Sequence, residues 1–511
     1  MYKLKITFAI LLLVYSKIIC AVGFENADLP EAADDDVKVL VRFKHNIDSA
    51  RQVKRSLLPQ RSKSSLENFS GNSTYSDYID ERNLIDDGDP RLKQLFDLLG
   101  QSPKSNKTNH FRDANLKALT VRRSDISKLQ ANLNIEVFPN RWHKPMLSSS
   151  VPIVFPDKPT SDFDGSNQVV ILLDTGVASN HSFLSNNLVP GSACFSNSGN
   201  PTAAGVLPST ESLCVSGAAS SIGGSSGTNC SAGIFGCAHG TNMAGIIAGT
   251  NMNSSGVASG AKILSIQVGT KINDEEICGN ESITPCVAVS TVDLISALDY
   301  SLSIANSQYS VASVNISLGT TENFQGICDI DPESVGQSQF PIVQPISDLR
   351  SAGVAVIAAS GNGPLGSSGD SIAMSSPACV SSAIAVAATN DSDEPLNENN
   401  RSSELDFFAP GLNIMTSTLP SSTFAVTGGT SAAAAHVSAA FAVLKEKNKS
   451  LSVSTLTSIL KNSGVSVSQG QITRSRIDIT QALATTPDFV ADDTFCIPIK
   501  TPNAKLVLVC L

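Results

Sequence analysis

With 511 residues, 41% of them hydrophobic and 16% charged, the chain is too long for one ordinary domain and too apolar for a disordered one. Its formal charge is -10, and no basic patch interleaved with aromatics appears, which argues against nucleic acid as a partner. The acidic surface serves solubility.

The first residues combine Lys3 and Lys5 with an apolar run from Phe8 to Tyr15 and small residues near Cys20 and Ala21. This layout predicts a secretory signal peptide over 1–21, too short for a comfortable membrane span; a retained signal anchor is the alternative. Residues 22–150 then lack cysteine and are rich in charge. Val37, Val39, Val41 and Phe43 alternate with Lys38, Leu40, Arg42 and Lys44, which predicts a half-buried strand. A helix over 46–58 follows, then a polar insertion at 59–112 with a short helical pattern at 91–99. A strand over 117–122, a helix over 124–133 with Ser124 as N-cap, and a strand over 134–138 complete a small α+β unit. Residues 145–165, rich in Pro, Ser and Asp, read as a linker.

From 166 onward short apolar runs alternate with helical segments. The runs 169–173, 263–268, 312–316, 354–359 and 383–387 have the character of strands buried on both faces. Helices are expected at 241–248, at 290–305 with a Ser290-x-x-Asp293 capping box, at 342–351, at 430–447 and at 453–461. The alternation predicts an α/β domain with a mainly parallel central sheet, whose sites gather at the carboxyl ends of strands. The Ser/Gly-rich segment 191–236 interrupts it as a long surface loop. The globular pattern ends with 475–483, and the tail 486–511 closes on an apolar strand-like run at 505–511.

Cys20 lies in or beside the leader, and ten further cysteines follow from Cys194 to Cys510. They lack the CxxC pairs of a zinc site, so disulfides in an oxidising compartment are expected, with sequence neighbours paired. Asn-x-Ser/Thr sequons occur at Asn68, Asn72, Asn106, Asn253, Asn280, Asn400 and Asn448. Asn315 is a further one, but it falls on an expected buried strand.

Serine-based amide hydrolysis needs a nucleophile, a base, an orienting carboxylate and oxyanion donors. Asp174 follows an apolar strand in VVILLDTGV, where it can hold a buried carboxylate against an imidazole. His239 begins the small-residue helix CAHGTNMAGIIAG, which can approach a sheet closely. Ser431 begins a helix in TGGTSAAAAHVSAA, where N-terminal amides favour developing negative charge. His436, on the same helix, reads as structural. Asn362 follows a strand in VAVIAASGNG and can point an amide at an oxyanion. Each residue alone is more often a turn, a cap or an ordinary core residue.

Taken in order, DTGV, HGTxxAGIIAG, NISLG, AASGN, DFFAPG and GGTSAAAAHV resemble the subtilase (subtilisin-like) family over roughly 166–485. The resemblance implies a three-layer subtilisin-like fold over 151–485, preceded by an inhibitor-like propeptide at 22–150. It implies a secreted serine endopeptidase made as a self-processing zymogen, with cleavage somewhere in 138–165. Asp174 would orient His239, His239 would deprotonate Ser431, and Asn362 with the Ser431 N–H would bind the oxyanion. Ser317, Leu318 and Gly319 would pair with the substrate backbone, and Ala358, Ala359, Ser360 and Gly361 would wall the main specificity pocket. That pocket suits apolar or small side chains better than basic ones, because no acidic residue stands in those strings. Partners would be protein or peptide substrates and the chain's own propeptide, and the molecule would act as a monomer. No cofactor is required for the chemistry, while structural calcium is common in the family, with ligands that the sequence does not assign. Three positions depart from the pattern: Asn242 where His is usual, Ala432 where Met is usual and Ala435 where Pro is usual. None removes a catalytic atom.

The alternative function is a catalytically silent, subtilase-like extracellular binding module, which loss of a triad residue or of the oxyanion Asn would have signalled. A metallohydrolase lacks HExxH or clustered ligands, and a disulfide-stapled adhesion protein would leave the order of the strings unexplained.

Overall fold

In this computed structural model, residues 36–43, 116–130, 135–139 and 142–145 are described, then 153–489 except 157, 159–160, 197–209, 252–253, 280, 308, 331–338 and 364–371, and finally 496–500 and 506–510. The expected leader, the helices at 46–58 and 91–99 and the polar insertion lie outside them. The chain divides into two compact units.

In the first unit, β1 (Asp36–Phe43) is the middle strand between β2 (Leu116–Arg122) and β3 (Ile135–Pro139), antiparallel to both. The expected alternation holds on one face, where Val41 and Phe43 join Leu119, Val121 and Val137. Ile126 and Leu129 of the short helix α1 (Ile126–Gln130) cover that face. Leu40 departs from the expectation: it is fully buried on the opposite face, beside its cross-strand partner Phe138. Ser124 is not an N-cap, because it lies inside a 3-10 turn, Arg123–Asp125, that precedes α1.

The second unit starts with β4 (Trp142–Pro145), which the sequence had not suggested. Its central sheet contains β5 (Val169–Asp174), β6 (Ala193–Phe195), β7 (Ser220–Ile222) and β8 (Lys262–Gln267), with α2 (His239–Ala248) between the last two. After β9 (Thr270–Ile272), β10 (Cys286–Ser290) and α3 (Thr291–Ala305) come β11 (Val311–Ile316), β12 (Leu318–Thr320), α4 (Val343–Ser351) and β13 (Ala355–Ala359). The chain continues through β14 (Ile384–Thr389), β15 (Phe407–Pro410), the hairpin β16 (Ile414–Thr418) and β17 (Thr423–Thr427), and the long α5 (Gly429–Lys447). It closes with α6 (Val453–Ser463), β18 (Val465–Gln469), β19 (Ile472–Arg476) and α7 (Ile479–Thr485).

The central order is β18-β19-β15-β14-β13-β11-β5-β8-β6-β7, parallel except at the two outermost pairings. Every residue of β5 is buried, as a strand covered on both faces requires. Val170 and Leu172 belong to the core under α2 and α5, while α3 and α4 pack on each other and on the sheet. The result is the expected three-layer α/β fold. Helix α5 carries alanines at 432–435, all fully buried, and this small-residue face lets the helix lie close to the strands. Ser290 caps α3 as expected, its hydroxyl accepting from the Asp293 N–H at 3.2 Å.

Four disulfides, Cys194–Cys214, Cys230–Cys237, Cys278–Cys286 and Cys328–Cys379, join sequence neighbours as anticipated. In the tail, β20 (Cys496–Lys500) pairs with β21 (Leu506–Cys510) in a register that sets Cys496 opposite Cys510. Among the described residues no helix is long and apolar enough to cross a membrane. Asn400 and Asn448 are buried, with their amides donating to Asn323 Oδ1 and the Pro487 carbonyl, so these two sequons are closed to modification in the folded chain.

Candidate active site

The carboxyl ends of the parallel strands bring the sequence candidates together in two groups. At the end of β5, Asp174 is fully buried. His239 Nδ1 lies 2.8 Å from Asp174 Oδ1 and 2.9 Å from Oδ2, and the Thr175 N–H also donates to Oδ1 at 2.7 Å. An ionised carboxylate only accepts, so Nδ1 carries the imidazole proton and Nε2 keeps its lone pair. His239 Nε2 has no hydrogen-bond partner among the described residues. An imidazole held in this tautomer can take a proton at Nε2.

Several contacts fix the helix that carries His239. Thr175 Oγ1 accepts from the Gly240 N–H at 3.0 Å and donates to the Cys237 carbonyl at 3.3 Å. The Cys230–Cys237 disulfide ends two residues before the histidine. Gly240 is required by space, since a Cβ there would come within 2.4 Å of the Gly176 carbonyl and 3.2 Å of Asp174 Oδ1. Farther along α2, Ser417 and Thr416 of the hairpin donate to the Thr241 and Asn242 carbonyls. Asn242, the departure from the family string, is buried; with its amide oriented to satisfy both ends, it donates to Ala238 O and Ser417 O at 2.9 Å. Its role is packing between α2 and the hairpin.

The second group surrounds Ser431, the third residue of α5 and fully buried. Its hydroxyl donates to the Ser317 carbonyl at 3.1 Å, and the Ser317 hydroxyl donates back to the Ser431 carbonyl at 2.8 Å. Asn315 Nδ2 lies 2.9 Å from the same Ser317 hydroxyl, which explains why this polar residue sits on a buried strand. Asn362, just beyond β13, accepts at Oδ1 from the Thr430 N–H at 3.0 Å. That bond sets the amide plane and leaves Nδ2 as the end that can donate. Gly429 has φ +75° and would, with a Cβ, press within 3.0 Å of Asn362 Nδ2.

Leu318 and Gly319 lie in β12, directly after Ser317. Ala358 and Ala359 end β13, fully buried, and the Ala359 side chain belongs to the core with α5, so only its backbone reaches the strand end. Ser360 is also buried; its carbonyl accepts from the N–H and the hydroxyl of Ser375, each at 3.0 Å. Gly361 follows with φ +109° and donates from its N–H to Thr430 Oγ1.

Among the described residues, the other two buried imidazoles, His181 and His436, are occupied. His181 lies between the Thr423 carbonyl and the Phe183 N–H. His436 donates from Nδ1 to the Ala432 carbonyl at 2.7 Å, and burial depresses its pKa to about 4 against the small opposing effect of that bond. It stays neutral and structural, as the sequence indicated. No group of three or more His, Cys, Asp or Glu among the described residues is placed to hold a metal ion.

With this geometry in view, the profile of the subtilase family matches residues 165–477, well over half of the chain. The chain belongs to the subtilase family. This subtilase is 40% identical over 124 residues to subtilisin Savinase of Lederbergia lenta, 24% of the chain and 44% of that protein. It is 32% identical over 218 residues to subtilisin amylosacchariticus of Bacillus subtilis subsp. amylosacchariticus, 42% of the chain and 47% of that protein. Each match spans less than half of the relative's length. Among solved structures, a protease of Pseudoalteromonas arctica is similar with a TM-score of 0.49 and 21% identity, covering 66% of this chain and 95% of that one.

The sequence missed β4, and it missed the supporting residues Thr175, Asn315 and Thr430. A Thr directly after the candidate Asp and another directly before the candidate Ser were visible signals. Nothing local marked β4.

Proposed function

We propose that this subtilase is a secreted serine endopeptidase, made as a self-processing precursor, that hydrolyses peptide bonds through an acyl-enzyme on Ser431. The observation that carries the reading is the buried Asp174–His239 pair, whose two short contacts leave Nε2 as the basic nitrogen. In the reaction, His239 Nε2 takes the Ser431 hydroxyl proton as Oγ attacks the substrate carbonyl, and later gives it to the leaving amine. Asp174 orients the ring and stabilises the imidazolium. Asn362 Nδ2 and the Ser431 N–H receive the oxyanion at the amino end of α5, where the helix dipole adds to the attraction. Ser317, Leu318 and Gly319 pair with the substrate backbone, and Ala358, Ala359, Ser360 and Gly361 bound the pocket for the residue before the scissile bond. No cofactor enters these steps.

The other parts of the reading follow the same line. Four disulfides suit an oxidising compartment, as a leader at 1–21 would provide. Residues 22–150 serve as propeptide, 151–485 as the catalytic domain and 486–511 as the tail, in a monomer. The test is casein hydrolysis by the purified protein and by its Ser431→Ala variant. Wild-type hydrolysis with none above background in the variant is expected; equal hydrolysis by both overturns the reading.

A further inference from the structure

Strand β10 pairs with β9 along one edge and turns its other edge to the candidate cleft, where two further segments share it. Alternate residues of a strand direct their backbone groups to the same edge, so Pro285, Val287 and Val289 all face the cleft side. At one end of that edge β4 sets His143 opposite Val289 and Trp142 opposite Ser290. The other side of β4 carries Lys144 opposite Gly319 and Pro145 opposite Leu318 of β12. At the far end, Phe235 donates its N–H to the Pro285 carbonyl and accepts from the Val287 N–H, both at 2.9 Å. A strand lying as β4 does therefore finds no partner on β10 beyond Val289, because the Val287 N–H is already bonded to Phe235. The pairing of β4 with β10 ends at that point.

We propose that Phe235 is a specificity-determining residue, which selects a basic side chain, Arg or Lys, at the substrate position opposite Gly319, the third before the cut. The inference rests on the peptidase reading, in which the substrate strand pairs with Ser317–Gly319 and its residue opposite Ser317 carries the acyl carbon. It deepens that reading by naming one subsite and its chemistry. The face follows from register. Phe235 bridges Cys286 in parallel, so its side chain stands on the face of Cys286 and Ala288, opposite to that of Val287 and Val289. In an antiparallel ladder the step after His143–Val289 faces Ala288, and this is the position opposite Gly319. A substrate side chain there shares the face of Phe235, two residues away along the edge, roughly 7 Å. The substrate residues before and after it point to the opposite face.

What stands on that face decides the chemistry. The Phe235 side chain is left open, with the residue 47% exposed, yet its backbone is bonded at both groups and lies inside the loop closed by Cys230–Cys237. A fixed, open aromatic face attracts a guanidinium or ammonium within about 6 Å of its centroid, and the stem of Arg or Lys is long enough to cover the gap. The neighbouring segment adds a sign of charge. Cys278–Cys286 ties the short helix Glu275–Cys278 to the same face, where Ile277 and Ile283 pack against the cluster of Cys286 and Ala288. Residues 273–283 contain Asp274, Glu275, Glu276 and Glu281 and no Lys or Arg. A basic substrate side chain is attracted both by the ring face and by this acidic segment, and an acidic one is repelled by both.

The test compares the mature wild type with Phe235→Ala and Phe235→Leu variants, their folding checked by thermal melting. Quenched peptides of one sequence, differing only in Arg, Lys, Ala or Glu third before the cut, are ranked by kcat/KM, with the cut located by mass spectrometry. The proposal expects Arg and Lys to exceed Ala by about three- to tenfold in wild type, and Glu to fall below Ala. Both variants should bring the Arg-to-Ala ratio close to one, since leucine keeps bulk but has no ring face. A wild type indifferent to the third position, or a basic preference retained in the folded variants, overturns the proposal. Casein hydrolysis that is lost with Ser431→Ala leaves the peptidase reading standing in that case. A folded, mature wild type that digests neither casein nor any of the peptides overturns both.

Discussion

Asp174→Asn removes one charge and alters almost no volume, so it isolates the contribution of the carboxylate. In the native site one oxygen, Oδ1, serves both the Thr175 N–H at 2.7 Å and His239 Nδ1 at 2.8 Å. An asparagine has one oxygen and one NH2 to divide between these two donors. If its oxygen stays with Thr175, its NH2 faces Nδ1, and the ring must move its proton to Nε2 to give Nδ1 a lone pair. The nitrogen that should accept the Ser431 proton is then blocked. The wrong tautomer, together with a lost counter-charge for the imidazolium, predicts a fall in kcat on the order of 10⁴, about 5.5 kcal/mol of barrier. KM should change little, because Asp174 is fully buried and would not touch substrate. The assay is steady-state hydrolysis of a chromogenic peptide, with the fold checked by thermal melting. A folded variant that keeps kcat within tenfold of wild type would refute the assignment of Asp174 as orienting carboxylate.

Three further outcomes are expected. Gly429→Ala, which forces a side chain into positive φ and against Asn362, should lower kcat between about tenfold and a hundredfold with KM nearly unchanged; an unaltered kcat would separate Gly429 from the oxyanion donor. His436 has a folded pKa of about 4, below its ordinary 6.5, so the native state binds fewer protons than the unfolded chain between those values. The associated stability, about 3 kcal/mol, is present above pH 6.5 and lost as pH falls toward 4. Denaturant melts at pH 7 and 4.5 should show a smaller drop in a His436→Gln variant than in wild type, and equal drops would contradict the reasoning. Replacing Cys230 and Cys237 together with serine should cost roughly 2 kcal/mol by opening a short loop, and should also lower kcat, since the Cys237 carbonyl helps hold Thr175. Unchanged melting and activity in that double variant would remove the staple from the account.

Much of the fold was legible because its signals are local. Val169–Leu173 is a continuous apolar run because both faces are covered, and that composition needs no knowledge of its neighbours. Ser290 announced α3 through a cap three residues long. The candidate catalytic residues were legible for a related reason: each sits where an apolar strand or an alanine-rich helix starts or stops. What was not legible is non-local. Trp142–Pro145 holds a proline and a lysine within four residues, and it is a strand only because β12 and β10 supply partners on both sides. Asn315 seemed an odd polar residue in a strand until Ser317 and Ser438 were found beside it. Leu40 was assigned to the polar face by alternation alone, which cannot reveal that the second face of that sheet is covered too.

The central claim is an activated nucleophile at Ser431, and fluorophosphonate labelling of the mature protein tests it most directly. Mass mapping of the labelled peptide should place the adduct on Ser431 in wild type and find none in a folded His239→Ala variant. A folded, mature wild-type protein that takes no label, or takes it equally without His239, would contradict the claim.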